Sequence, residues 1–246
     1  MWKIFLPFYR LYVWIVWLPM ALLLTFLTAS TCIILASTGL FSLKTMSVFP
    51  RIWSRLVMWL AFIRVKVSGA EHLSQGKTYV LASNHQSAFD IWMIYGWMPV
   101  VFVFVMKKEL RKMPFVGMAC EKMGHIFIDR SHPIEAKKSL VEAETKLKDG
   151  RSVLIFPEGT RSKTGRVGLF KRGAFSIATD LQLPVVPISI IDSNKRIAMG
   201  GWSINPGTVR MIIHEPIDCG ENTEQNMREL ANRTREIVIS GLSDHN

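Results

Sequence analysis

Residues 79–90 read Tyr79-Val80-Leu81-Ala82-Ser83-Asn84-His85-Gln86-Ser87-Ala88-Phe89-Asp90. A short apolar run of strand character gives way to a polar turn, and an acid follows where a helix would open. The end of a strand, opening onto a loop and helix, is where open α/β sheets place ligands. His85 lies in that turn, with Asp90 five residues on. In a regular helix, i and i+5 point to different faces, so the two meet only if His85 is in the turn and Asp90 in the first helical turn. An imidazole titrates near neutrality and can take a proton from an attacking hydroxyl, while a carboxylate holds its tautomer and steadies the imidazolium. Taken alone, the same spacing also suits a helix cap with an acid on the helix dipole.

Outward from this stretch, β-rich runs alternate with helical ones. Strands are expected at Arg64–Val67, Tyr79–Ala82, Val100–Val105, Ile126–Ile128, Val153–Phe156, Val185–Ile190 and Val209–His214. Helices are expected over Phe115–Lys122, Pro133–Lys148, Gly173–Asp180 and Thr223–Ser240. The alternation predicts an α/β fold with a mostly parallel sheet flanked by helices. The catalytic-type domain is assigned to residues 64–246, and residues 1–63 are read as a separate N-terminal membrane-associated helical segment.

That segment carries thirty-three consecutive uncharged residues from Leu11 to Leu43. As one helix it would be ~50 Å long, against the ~30 Å of a bilayer's hydrocarbon. Pro19 and Gly39 are possible breaks, so a single span and a re-entrant hairpin both fit. A cleaved signal peptide fits poorly, because its apolar region runs to only about 15 residues. Trp2, Tyr9, Tyr12, Trp14 and Trp17 are placed where aromatic rings favour the headgroup layer. Pro50 to Ile63, with Arg51 and Arg55 one turn apart, reads as an interfacial helix. Removing residues 1–60 is then expected to release the remainder from membranes with its catalytic residues in place.

The formal net charge is +11. Residues 1–70 hold seven basic groups and no acidic one; residues 71–202 hold nineteen against twelve; residues 203–246 hold four against seven. An anionic partner follows from this balance: nucleic acid, an acidic membrane or a phosphorylated substrate. Three scattered cysteines, Cys32, Cys120 and Cys219, offer neither a disulfide framework nor a zinc site, and suit a reducing compartment.

Three further blocks carry chemistry. Phe156-Pro157-Glu158-Gly159-Thr160-Arg161-Ser162 follows a strand and offers a planar guanidinium for a phosphate, a glycine for close approach and a hydroxyl donor, with Glu158 placed to orient Arg161. Gly124-His125-Ile126-Phe127-Ile128-Asp129-Arg130 brings a second arginine to a strand end. His125 and Asp129 are too far apart along a strand for contact, so His125 is read as structural. Lys107, Lys108, Arg111 and Lys112 form a basic run after a strand, facing either phosphate or anionic lipid. No G-x-S-x-G, G-x-x-x-x-G-K-[ST] or H-E-x-x-H is present, so no serine nucleophile, nucleotide cradle or zinc is indicated. A base without a protein nucleophile points to direct transfer onto a substrate hydroxyl.

The Asn84–Asp90, Gly124–Arg130 and Phe156–Ser162 blocks, with Val186-Pro187-Ile188 as a fourth and Lys107 with Glu109-Leu110 as an added segment, resemble the glycerophospholipid acyltransferase family, most closely its 1-acyl-sn-glycerol-3-phosphate acyltransferases, over roughly residues 60–215. The resemblance implies that His85 deprotonates the sn-2 hydroxyl of lysophosphatidic acid, which attacks the thioester of acyl-CoA or acyl carrier protein to give phosphatidic acid. It implies a catalytic pair of His85 and Asp90, and a phosphate site of Arg161, Arg130 and Lys107 with Glu158, Gly159 and Thr160. Backbone N–H groups near the turn are expected to hold the oxyanion. No metal or cofactor is implied beyond the acyl donor, and no nucleic-acid partner. The expected location is a membrane, the inner or cytoplasmic one in a bacterium, with the catalytic domain on the cytoplasmic side. Rival readings are an acyltransferase for another lysolipid or an aminoacyl lipid, and a non-catalytic, membrane-tethered basic binding protein.

Overall fold

The computed structural model describes residues 2–129, 150–162, 164–197 and 203–243. Arg130 and the helix expected over 133–148 lie outside the described residues.

The chain starts as a helical rod: α1 (Trp2–Tyr12), a π turn at Val13–Trp17, and α2 (Leu18–Thr38). Pro19 does not break it. Proline has no N–H to give the preceding turn, and the wider π turn absorbs this, with the Leu18 N–H bonding the Val13 carbonyl five residues back. Gly39 does end the rod, at φ 67°, in the left-handed conformation that favours glycine. A short α3 (Leu43–Met46) leads into α4 (Val48–Leu60), with Pro50 in its first turn as expected.

Among the described residues seven strands follow, at the places the sequence predicts: β1 (Ile63–Ser68), β2 (Val80–Ser83), β3 (Phe102–Lys107), β4 (Ile126–Ile128), β5 (Ser152–Ile155), β6 (Val185–Ile191) and β7 (Gly207–Ile213). Strand β3 starts and ends two residues later than expected. Its partners decide this, because pairing with β5 begins at Phe102 and pairing with β4 runs on to Lys107. The helix expected at Gly173–Asp180 divides into a tight turn, Arg172–Ala174, and a helix, Ser176–Asp180.

The seven strands form one sheet in the order β1-β7-β6-β2-β5-β3-β4, parallel throughout except for the β6–β7 pair. Strand β2 is central, and the loops after β2, β5 and β3 leave from the same edge. Pro187 is tolerated inside β6 because its nitrogen faces the β7 side, one residue before the β6–β7 register begins at Ile188, while the Ile190 N–H faces the other side and binds Asn84.

Side chains alternate across the sheet as period-two geometry requires. Leu81, Leu154 and Val186 face one core, and Val80, Ala82, Val153 and Val185 face the other. The second core is closed by Phe175, Ile177 and the C-terminal helix Glu224–Ser243, through Leu230, Ala231 and Val238. The first is closed by α5 (Phe89–Trp97), by α4 and by the N-terminal rod: Trp17, Ala21, Val57, Met58 and Ala61 pack in one cluster with Phe89, Met93 and Ile94. The boundary expected at 63/64 coincides with the start of β1, but the apolar core runs across it.

Polar contacts reinforce this joint and revise two expectations. Trp17 Nε1–H donates to the Val57 carbonyl (3.0 Å), and the Tyr12 and Tyr9 hydroxyls donate to those of Leu60 and Ala61 (2.9 Å each). The Leu60 and Ala61 carbonyls are ones the helix end leaves without intrahelical partners, and that of Val57 already accepts the Ala61 N–H (3.2 Å), so three of the rings assigned to headgroups instead bind the C-terminal turn of α4. Arg51 Nη2 donates to the Met98 carbonyl (2.9 Å) and Arg55 Nε to that of Gly96 (2.7 Å), with Arg55 also over the Trp97 ring. The two arginines expected to face a membrane therefore sit on the negative C-terminal end of α5. Gly96 is where α4 and α5 approach: a Cβ there would lie 3.0 Å from Ser54 Oγ.

Candidate active site

Helix α5 begins at Phe89, so Asp90 falls in its first turn and His85 in the loop before it, the one arrangement in which five residues' separation permits contact. His85 Nδ1 lies 2.8 Å from Asp90 Oδ2, and the same oxygen accepts the N–H groups of Gln86 (2.7 Å) and Ser87 (2.8 Å). Asp90 is fully buried. Its charge is supported by two amides, the imidazole and the positive end of α5, which together offset much of its lost hydration. Because a carboxylate only accepts, Nδ1 carries the proton and Nε2 presents its lone pair. Nε2 has no protein partner among the described residues. The ring is stacked on Phe156, centroids 3.9 Å apart at 14°, which fixes its orientation.

Parallel pairing brings the next block beside it. Ala82 is level with Ile155, so the loops after β2 and β5 run side by side. Glu158 Oε1 accepts the His85 N–H (2.8 Å) and Oε2 accepts the Gly168 N–H (2.8 Å), while the Ser162 N–H donates to the His85 carbonyl (2.8 Å). Burial raises the Glu158 carboxyl above its ordinary value, opposed by those two amides. Glu158 therefore ties two loops together; it does not orient Arg161, with which it forms no ion pair among the described residues. A carboxylate engaged in this way holds the loops in place and offers no contact to an anion.

The same bonds narrow the choice of amides for the expected oxyanion site. The amides of His85, Gln86 and Ser87 are all engaged by carboxylates. These three N–H groups are thus committed to holding Asp90 and the histidine loop.

Arg161 and Thr160 are exposed on the β5 loop, and Gly159 adopts φ 77°. A Cβ on Gly159 would lie 3.1 Å from Lys171 Nζ, so a cation from outside the 156–162 block stands above this turn. Continuing the β5–β3 register places Lys107 level with Pro157, two strands from β2 and about 10 Å across at ordinary strand spacing. Lys107 is exposed and pairs with Glu109 (3.1 Å). Asn84, in the same block as His85, serves the sheet. Its amide donates to the Ile190 carbonyl (2.9 Å) and accepts the Ile190 N–H (2.7 Å), extending the β2–β6 ladder by a side chain.

His125 lies apart from this site, as expected. Its Nδ1 accepts the Phe104 N–H (3.0 Å), so Nε2 carries the proton and donates to the Tyr95 hydroxyl (2.6 Å). Burial, with Arg151 nearby, lowers its pKa to about 4 from 6.5. The unfolded chain then binds a proton between pH 6.5 and 4 that the folded chain refuses. Stability should fall by about 3 kcal/mol as pH drops through that window. Thermal unfolding across pH 4–7 should show this slope, and His125→Asn should flatten it.

A family model described as Acyltransferase matches residues 64–191, which include His85, Asp90, Glu158 and Arg161. The chain belongs to the acyltransferase family. Among members, a chloroplast 1-acyl-sn-glycerol-3-phosphate acyltransferase of Arabidopsis thaliana is 37% identical over 169 residues, 68% of this chain and 47% of that one. The 1-acyl-sn-glycerol-3-phosphate acyltransferase of Pseudomonas aeruginosa is 34% identical over 197 residues, 78% of this chain and 76% of that one. The chain thus spans about half the length of the chloroplast relative and about three quarters of the bacterial one. The crystal structure of the 1-acyl-sn-glycerophosphate acyltransferase PlsC of Thermotoga maritima superposes with a TM-score of 0.81 at 29% identity, covering 99% of this chain and 97% of that one. That likeness takes in the N-terminal rod, which the family model leaves out.

Proposed function

We propose that the protein moves an acyl chain from an acyl thioester, acyl-CoA or acyl carrier protein, to the sn-2 hydroxyl of 1-acyl-sn-glycerol-3-phosphate, giving phosphatidic acid. The observation that carries this is the His85–Asp90 pair, with Nε2 left without a protein partner among the described residues and Lys171 over the neighbouring turn. The names of the relatives support the choice of acceptor. Nε2 takes the hydroxyl proton as the oxygen attacks the thioester carbon; the C–S bond breaks, and the imidazolium returns the proton to the leaving thiolate. Arg161 and Lys107 would hold the acceptor's phosphate, together with Arg130, which lies outside the described residues.

A matrix of thioester donors against lysolipid acceptors, run on purified protein, tests this reading. Lysophosphatidate should be acylated well ahead of lysolipids whose phosphate is masked by a headgroup. Equal rates on neutral-headgroup acceptors would overturn it, and no transfer to any acceptor would favour a binding protein. Arg161→Lys should raise the KM for lysophosphatidate about tenfold with little change in kcat, since a point charge replaces a two-pronged donor. An unchanged KM would remove Arg161 from the site.

The proposed location is a membrane surface. The helical stretch Leu6–Thr38 is long and apolar enough to cross a bilayer. Yet Val13, Trp17 and Ala21 pack in the α4–α5 core, and Ala29 and Cys32 pack against Ala119 of α6 (Val116–Lys122). A rod held against a mixed-polarity domain over that length would lie within one leaflet rather than cross it. Phe8, Leu11, Ile15, Leu22, Leu23 and Ile34 face outward for that purpose. Three free cysteines fit the cytoplasmic side for the catalytic domain.

A further inference from the structure

Between β3 and α6 the chain makes a tight turn, Lys108–Lys112, and then Met113-Pro114-Phe115 before the helix. Large apolar side chains in this segment point outward: Leu110 is 40% exposed, Met113 46%, Phe115 51% and Met118 54%. Exposure of this kind in neighbouring residues marks an interaction surface more than a random scatter does. The segment is also rigidly built. Phe115 is held at φ 58°, and Gly117 lies so close to the preceding turn that a Cβ would lie 2.1 Å from the Arg111 carbonyl oxygen. Strain at a non-glycine residue is tolerated only where the surroundings enforce it.

Two observations identify what covers this surface. First, Phe115 packs edge-on against Phe26 of the N-terminal rod, centroids 4.8 Å apart at 81°, so the patch continues the rod's outward apolar face. Second, it is ringed by Lys108, Arg111, Lys112 and Lys122. Lys108 pairs with Asp129 and Arg111 with Glu121, whereas Lys112 and Lys122 have no carboxylate partner among the described residues. Apolar side chains rimmed by lysines complement a leaflet of anionic phospholipid, with rings and thioethers at the acyl boundary and ammonium groups at the phosphates.

We propose that Leu110, Met113, Phe115 and Met118 form a second membrane contact, inserted into an anionic leaflet beside the N-terminal rod. This rests on the reading of that rod as lying in the leaflet. The segment leaves the sheet at Lys107, on the same edge as the loops that carry His85 and Arg161. Two adjoining contacts would fix the domain's tilt and present the mouth of the site to the bilayer, where a lysolipid resides.

The test places a nitroxide label on the full-length protein at Met113→Cys or Met118→Cys, in a Cys120→Ala background; Cys32 and Cys219 are buried and poorly accessible to label. Comparison sites are Leu22→Cys on the rod and Arg228→Cys on the C-terminal helix. On binding phosphatidylglycerol vesicles, collisions with oxygen should rise several-fold, and those with a water-soluble nickel chelate should fall, at 113, 118 and 22 but not at 228. Lipid signatures at 22 with water signatures at 113 and 118 would overturn the second contact and leave the rod's reading standing. Water signatures at all four sites would overturn both. Phosphatidylcholine vesicles should give shallower immersion at 118; equal immersion would overturn the part assigned to the lysines.

Discussion

His85→Ala is expected to abolish acyl transfer, with a fall of at least about a thousandfold, while the protein still folds. Alanine removes the only group at the site, among the described residues, that presents an unpaired basic nitrogen held by a buried acid. The fold should survive because Asp90 keeps both of its amide donors, and the β2–β6 ladder is closed by Asn84, not by the histidine. Asp90→Asn should lower kcat by a similar factor, since an amide in that position can leave the proton on Nε2. It should also lower the melting temperature, because two amides would lose a charged acceptor. Substantial turnover by His85→Ala, measured beside a melting curve that shows it folded, would sink the mechanism.

Deleting residues 1–60 is expected to inactivate the protein and to leave it poorly folded, not to yield a soluble working domain. The sequence suggests the opposite outcome, because the uncharged run reads as a detachable anchor. In the structure α4 and the rod form part of the layer over one face of the sheet. Their loss would expose Phe89, Met93 and Ile94, three fully buried side chains worth roughly 1.5–3 kcal/mol each. That total is comparable with the ~5–15 kcal/mol by which a whole domain is stable. Arg51 and Arg55 would also leave the end of the helix whose first turn holds Asp90. Sedimentation and circular dichroism of the truncated chain would decide it: a monomeric, fully folded, active fragment would show the rod to be dispensable.

The strands were legible because each is a short apolar run bounded by turn residues, and period-two burial leaves a plain mark on the chain. The contact between His85 and Asp90 was legible because a histidine in the turn and an aspartate five residues on, in the first helical turn, are able to meet there. Less legible was anything that depends on partners brought in by the sheet. Glu158 looks like a companion to Arg161 until β5 pairs with β2 and delivers it to the His85 amide. Asn84 looks like an active-site polar group until β6 arrives. Arg51, Arg55, Tyr9, Tyr12 and Trp17 have the composition of a membrane interface, and composition does not show that a helix end lies within reach.

Strand β2 lies at the centre of the sheet, and that has a consequence for the order in which the protein can be made. The amide of Asn84 finds its partner 106 residues later and the amide of His85 its partner 73 residues later. At ribosomal speeds of 5–20 residues per second, the 106 residues take about 5–20 s to appear. Through that interval the histidine loop has no frame to hold it, while the apolar first helix is already outside the ribosome and free to find a bilayer. Attachment should therefore precede activity in time, and nascent chains stalled before Ile190 should be membrane-bound and inert.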